Sequence, residues 1–277
     1  MAANLVFPTQ GVPNMMPDYE VRLQLNPDAV LGPDHKLTST VLSTFGIPQS
    51  NPTNPTNPTN PTKLNVQFLD TSCKELYTAG WSARIRKTEN EDDFELTYKK
   101  RYPITDGDID AALVAANNDD FNAASTKYEA QVEWGYKNQT LSISHKNSIA
   151  DSENSRMNLP GTSRSIEMLV NEAPDKFDNW RPNNWGTRTL AVSRIFGPVC
   201  ASRCVGTWNQ MKLYLEVWPL IKLKGGTEIE HIVEASFKTK SRQKAADEKN
   251  HLVHHLEEMH WFLPQDCLKT QLIMQRY

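Results

Sequence analysis

Several signatures are missing from this sequence, and each absence removes a class of function. There is no Gly-x-x-x-x-Gly-Lys phosphate loop, no Gly-x-Ser-x-Gly elbow and no Cys-x-x-Cys pair. A P-loop nucleotide hydrolase, an α/β-hydrolase and a thioredoxin-type redox centre are therefore not indicated. No apolar run is long enough to span a bilayer, so no membrane partner is expected. The opening MAANLVFPTQGVPNMMPDYE has no basic segment followed by an apolar run, and no secretory signal is expected. Net positive charge is also missing. At −3 the chain has no general basic field to attract a duplex, so nucleic acid is not an expected partner. Cysteine is scarce: Cys73, Cys200, Cys204 and Cys267 are irregularly spaced. Cys200 and Cys204 lie on one predicted strand, too far apart to bridge each other at roughly 3.3 Å per residue. Four reduced thiols and a cytoplasmic location are the expectation. Asn138-Gln-Thr140 matches a glycosylation acceptor, but without a signal it is read as accidental.

What is present is alternation. The chain has 277 residues, 38% hydrophobic and 23% charged, polar for its size but able to build a packed core. From Trp81 to Lys87, Trp81, Ala83 and Ile85 share one face of a predicted strand, and Ser82, Arg84 and Arg86 the other. From Phe94 to Arg101, Phe94, Leu96 and Tyr98 oppose Glu95, Thr97, Lys99 and Arg101. The turn Thr88 to Asp93 joins the two as a hairpin. Four cations then crowd one face and repel each other. A solvated face accounts for them, and so does a site for a polyanion, because guanidinium groups match phosphate or carboxylate oxygens bidentately.

The rest of the chain repeats the pattern. Residues 1–18 are an irregular arm, and 19–277 are expected to form a single domain. Strands are predicted at Tyr19 to Leu25, Lys127 to Trp134, Thr140 to Lys146, Arg188 to Phe196, Val199 to Val205, Met211 to Trp218, Glu228 to Lys238 and Leu268 to Tyr277. Helices are predicted at Asp34 to Phe45, within the acidic stretch Asp106 to Ala124, at Arg164 to Ala173 and at Ser241 to Phe262. In the last of these, Leu252, Leu256, Met259 and Leu263 form one apolar stripe. The repeat NPTNPTNPTNPT at 51–62 is a polyproline-like spacer loop. The aromatic loop Phe177 to Gly186 has the length and polarity of a lid. In all, about nine or ten strands are expected, many with concentrated charges of both signs on the polar face. Two architectures fit. Either a sheet shows its charges to solvent, or it closes on itself with the charges inside a water-filled tunnel and the helices outside.

The order of features resembles the CYTH superfamily, the triphosphate tunnel metalloenzymes, which include thiamine triphosphatases and class IV adenylyl cyclases. The matching pieces are a first strand with Glu20, then FLDTSCKELYTAGWSARIRK and ELTYKK, carrying Asp70-Thr71, the short helix ending at Gly80, Arg84-x-Arg86 and Lys99. The strand IVEASFK at 232–238 and a late helix follow. The likeness is densest over residues 19–103 and thinner over 126–277. It implies a mainly β (α+β) fold, a closed antiparallel β tunnel with a charged lumen and helices packed outside. It also implies a small anionic substrate, phosphoanhydride hydrolysis as the activity, and Mg²⁺ or Mn²⁺ as cofactor.

By that resemblance Glu20, Arg84, Arg86 and Lys99 are the catalytic candidates. Arg22, Arg101, Lys127, Arg203 and Lys238 are the substrate-binding candidates, and Glu20, Glu216 and Glu234 the metal ligands. The family's first-strand motif is Glu-x-Glu-x-Lys, and here Glu20, Arg22 and Gln24 stand in its place. Arg22 puts a permanent positive charge where a ligand belongs, and Ser236 follows Glu234 where a second glutamate is expected. Three readings follow: a tunnel hydrolase with a reduced metal site, a repurposed tunnel doing metal-free acid–base chemistry on an organic substrate, or a non-catalytic anion binder with no cofactor. Glu129 joins Glu20 and Glu216 as an acid–base candidate under the second. Monomer and homodimer both stay open. His251, His254, His255 and His260 crowd one helix, but no third ligand accompanies the His251/His255 pair, and they are read as solvated or capping.

Overall fold

The structure is a computed structural model that describes residues 12–48, 61–151 and 156–277. The first eleven residues of the predicted arm and residues 51–60 of the Asn-Pro-Thr repeat lie outside the described residues. The strands are β1 (Asp18–Leu25), β2 (Thr62–Asp70), β3 (Trp81–Thr88), β4 (Asp93–Ile104), β5 (Glu129–Trp134), β6 (Gln139–Ala150), β7 (Arg194–Trp208), β8 (Met211–Ile221), β9 (Ile229–Thr239) and the short β10 (Phe262–Leu263). The helices are α1 (Pro27–Val30), α2 (Ser39–Thr44), α3 (Glu75–Thr78), α4 (Ile109–Asn118), α5 (Thr162–Asn171), α6 (Asp175–Asp178), α7 (Trp185–Ala191), α8 (Arg242–Glu258) and α9 (Lys269–Arg276).

Around the sheet the order is β1-β5-β6-β4-β3-β2-β7-β8-β9, and β9 pairs back onto β1. Nine strands therefore close into a barrel, and no open edge is left along that circuit. Every seam is antiparallel except β1–β5, which is parallel. The antiparallel expectation thus fails at one pairing, where the first half of β1 lies on β5 and its second half on β10. Period-two alternation reports which face a residue takes and is blind to strand direction. The pairs β3–β4, β5–β6, β7–β8 and β8–β9 are hairpins of chain-adjacent strands. Between β7 and β8, Asn209 and Gln210 both take positive φ, the geometry whose twist matches a two-residue hairpin.

The apolar faces point outward and carry the helices. Val21, Leu23, Ala83, Ile85, Leu96, Tyr98, Val132, Leu215, Val233 and Phe237 are all buried in one core with Leu252, Leu256, Leu113 and Phe177 from the helices. The charged faces point inward. Of the two architectures open to the sequence, the tunnel is the one formed. Asp70, which the resemblance singled out, is a cap and not a lumenal residue. Its Oδ1 accepts from the Thr71 and Leu76 amides and its Oδ2 from the Tyr77 amide, satisfying the donors at the start of α3.

Four predicted elements are corrected. Arg188 to Phe196 is a strand only from Arg194 onward: Arg188 belongs to α7, where buried Gly186, Thr189 and Leu190 follow helical spacing and Val192 is exposed. Gly197-Pro198 does not divide two strands. It lies within one strand, β7, opposite a register shift between Val66 and Phe68 that absorbs the extra residue. The loop Phe177 to Gly186 is no lid, because Phe177 and Trp180 pack against Trp81 on the helix-covered face. Leu268 to Tyr277 is the helix α9, with buried Thr270, Ile273 and Met274 at helical spacing. That last correction matters most. Ile273 and Met274 join a second apolar cluster with Leu64, Val66, Phe68, Phe196, Trp218 and Leu220, so one part of the barrel's inner surface is apolar and is filled by α9.

Candidate active site in the tunnel

The remaining inner surface encloses a cavity of about 480 Å³. Glu20, Arg22, Arg84, Arg86, Lys99, Arg101, Arg203, Glu216, Glu234 and Lys238 all line it. They come from six strands, gathered because each sits on the polar face of its strand. Lys127 is the exception among the sequence candidates. It is exposed in the turn before β5, and its carbonyl accepts from the His145 ring. Nine cationic side chains and seven carboxylates line the cavity, so the surplus is positive in a chain whose net charge is −3.

The charges form compact clusters. Glu133, 3% exposed, accepts from Lys99 Nζ at 2.6 Å and from the Arg22 guanidinium. Burial works against its charged form, but Arg22, Lys99 and Arg101 outweigh burial and hold the carboxyl well below the ordinary carboxylate range. Across the wall, Glu95 accepts from Arg84 at 2.5 Å and Arg86 at 2.6 Å. Burial lowers Arg86 to about 10, reinforced by Arg84, which still leaves it charged at neutral pH. A third cluster joins four elements, β7, β8, β9 and α9. Arg203 donates twice to Glu216, at 2.8 and 2.6 Å, and Lys269 Nζ lies 2.7 Å from both Glu216 and Glu234. Trp218 Nε1 adds a bond of 2.8 Å to Glu216.

Three guanidiniums are incompletely satisfied. The Nε–H of Arg84, Arg86 and Arg101 is buried in each case and has no acceptor among the described residues. Among the described residues Arg101 has no carboxylate in hydrogen-bond contact either; its Nη atoms reach Ser82 Oγ at 3.1 Å and Thr270 Oγ1 at 3.3 Å. Buried donors left unpaired are expensive, and charged ones more so. A ligand bearing several anionic oxygens would satisfy them.

No protein-family model matches this chain, and no curated protein matches it. Solved structures do. A Hippeastrum protein described as an adenylyl cyclase candidate with a dominant triphosphatase activity superposes with a TM-score of 0.54 at 13% identity, covering 92% of this chain and 93% of that one. This chain has the same tunnel fold. A Bacillus halodurans adenylate cyclase candidate aligns over 92% of this chain and 96% of its own, at 12% identity and a TM-score of 0.47. At 13% identity to the Hippeastrum protein, the closed β-tunnel fold is what is shared.

The divalent ion that the resemblance implies does not fit the side chains as they stand. Among the described residues no three His, Cys, Asp or Glu side chains come together as a metal-binding group. Glu216 and Glu234 share the Lys269 ammonium. Glu20 lies 3.9 Å from Arg22 and 3.6 Å from Lys238. Glu216 and Glu234 are already paired with a tethered ammonium that would have to leave first, and Glu20 has two cations within 4 Å that would compete with a metal ion. Glu133, Glu95 and Lys269 were missed as site residues by sequence reasoning. The first two sat in plain view on polar strand faces. Lys269 was hidden by reading α9 as a strand.

Proposed function

We propose that the chain is a tunnel-fold enzyme that binds a small polyphosphate and hydrolyses a phosphoanhydride bond. The observation that supports it is the trio of buried Nε–H donors on Arg84, Arg86 and Arg101. Arg84 and Arg86 on β3, with Lys99 and Arg101 on β4, form one cationic wall whose forks match phosphate oxygens. In phosphoryl transfer the charge that builds up spreads over the transferred phosphoryl and the leaving oxygen. Fixed donors facing those oxygens stabilise it without reorganising. Water is the nucleophile: its oxygen bonds to phosphorus, the bridging P–O bond breaks, and the leaving phosphate takes the electron pair. In this reading Glu20 holds that water and takes its proton. Its Oε2 accepts from Gln131 at 2.7 Å, while its Oε1 has Lys238 Nζ no nearer than 3.6 Å and so keeps an acceptor for solvent.

Phosphate release from inorganic triphosphate, thiamine triphosphate and ATP tests the reading, each with Mg²⁺, with Mn²⁺ and with chelator. Release from at least one, lost in Glu20→Gln, is the expected result. Folded protein that releases nothing from any of them removes hydrolysis; if triphosphate also fails to bind, the ligand class goes with it.

A pH dependence follows from Lys99. Burial pulls its amine down to about 8, against the pull of Glu133. Bound phosphate favours the charged amine, so ligand binding takes up a proton above that pH. Triphosphate affinity, measured by calorimetry, is expected to fall as pH rises through about 8, approaching tenfold per pH unit. Lys99→Arg, which stays charged, is expected to remove the fall. An unchanged slope in that variant would take Lys99 out of the ligand's contacts.

A further inference from the structure

We infer that Lys269 is the tunnel's resident counter-cation, a tethered ammonium standing where the resemblance puts a divalent metal ion. This goes beyond the hydrolase reading and stands whether or not the tunnel turns over its ligand.

Glu216 and Glu234 face each other directly across the β8–β9 seam, 5% and 2% exposed. Two buried carboxylates in cross-strand register need about two positive charges between them to stay ionised. Lys269 provides one, at 2.7 Å from an oxygen of each. Arg203 provides the other through the two hydrogen bonds it donates to Glu216. The two carboxylates are thus balanced by two unit charges fixed to the chain, the same total charge as one divalent ion. The Lys269 ammonium also lies 4.7 Å from the centre of the Trp218 ring, a third stabilising contact for the same charge.

The helix that brings Lys269 is anchored at its other end. Arg276 donates to the Ile221 carbonyl at 3.2 Å and to Glu230 at 2.8 Å. The Tyr277 hydroxyl accepts from the Ile221 amide at 3.0 Å, and Arg194 donates to the Tyr277 carbonyl at 2.9 Å. Ile273 and Met274 are buried inside the barrel. A cation held this way is present at high effective concentration and does not dissociate into bulk solvent, so a free ion must displace it to reach the carboxylates. The departures on the neighbouring strand agree with this. Gln24, opposite Glu234 in the β1–β9 register, donates to Glu234 at 3.3 Å, where a divalent ion would need an acceptor.

The test is a Mn²⁺ titration of the full chain without any phosphate ligand, read by electron paramagnetic resonance of free Mn²⁺ and by isothermal titration calorimetry. The wild type is expected to show no stoichiometric site at Mn²⁺ concentrations up to about 1 mM. Lys269→Gln, which keeps most of the side-chain volume and removes the charge, is expected to bind one Mn²⁺ at least roughly tenfold more tightly, since two carboxylates suffice for a hard cation that keeps its waters. The added change Glu234→Gln is expected to abolish that gain. A folded Lys269→Gln with no gain overturns the inference. If that variant does not fold, the wild type decides: one Mn²⁺ bound at micromolar concentration and lost in Glu216→Gln overturns it, and no such site upholds it.

Discussion

Arg101→Met is expected to lower triphosphate affinity by about 100-fold while leaving the stability of the empty protein within about 1 kcal/mol of the wild type. The two halves of this result have separate causes. In the empty protein Arg101 donates only to two hydroxyls, which can turn to other acceptors. The nearest carboxylate, Glu133, keeps Arg22 and Lys99. Removing Arg101 therefore leaves no buried anion alone, and it relieves a desolvated charge, since burial is what lowers the Arg101 pKa. In the complex, two charge-assisted hydrogen bonds to phosphate are lost, each worth about 1.5–3 kcal/mol, and about 1.4 kcal/mol is a factor of ten. Calorimetry with inorganic triphosphate and urea denaturation measure the two halves. Unchanged affinity would show that the ligand does not reach this wall, and a large stability loss would show that Arg101 is structural.

That contrast between a ligand residue and a structural one was only half legible in the sequence. Period-two alternation placed Glu20, Arg22, Arg84, Arg86, Lys99, Arg101, Glu216 and Glu234 on polar strand faces, and those faces line one cavity. Alternation is a local property and survives in any sheet. Whether the polar faces turn inward depends on β1 pairing with β9, more than two hundred residues away, and no local pattern encodes that closure. Pairing of charges is equally non-local. Glu133 lies over a hundred residues from Arg22, and Lys269 reaches Glu216 and Glu234 only because α9 folds back into the barrel. The sequence from Leu268 to Tyr277 fits a strand by its aliphatic content, yet its buried residues fall at helical spacing. Short apolar runs carry both signals, and tertiary packing chooses between them. Lys127 erred the other way: it shares the alternation of β5 but precedes the strand's first paired residue, so nothing turns it inward.

The lumen is also a device for keeping like charges together before any ligand arrives. Arg84 with Arg86, and Arg22 with Lys99, are each bridged by one carboxylate, Glu95 and Glu133. Each bridge leaves its cluster one positive charge in surplus. The carboxylates thus hold the cations in position, and the surplus faces the cavity. A polyanion can add to such clusters without first breaking them, so the site is preorganised for its ligand.

Glu133→Gln breaks the larger of these clusters and is expected to have the largest effect on stability, a loss of about 3–5 kcal/mol. Gln keeps the volume but not the charge, and it leaves Lys99 and Arg101 without their carboxylate and Arg22 with Glu20 at 3.9 Å as its remaining ion pair. The pH dependence has a definite sign. Glu133 has a folded-state pKa well below its ordinary 4.5, so its stabilisation is fully present above about pH 4.5 and is lost as pH falls below it through the folded value. The wild type is therefore expected to lose stability steeply below about pH 4.5, and Glu133→Gln to show a flatter acid limb from a lower plateau. Ligand then separates this account from simple damage to the core. Triphosphate supplies the anion that the variant lacks, so it should raise the midpoint of thermal unfolding more in Glu133→Gln than in the wild type, through tighter binding to the folded state. A variant destabilised as expected but gaining no more from triphosphate than the wild type would place Glu133 in packing alone and leave its three cations without a role in holding phosphate.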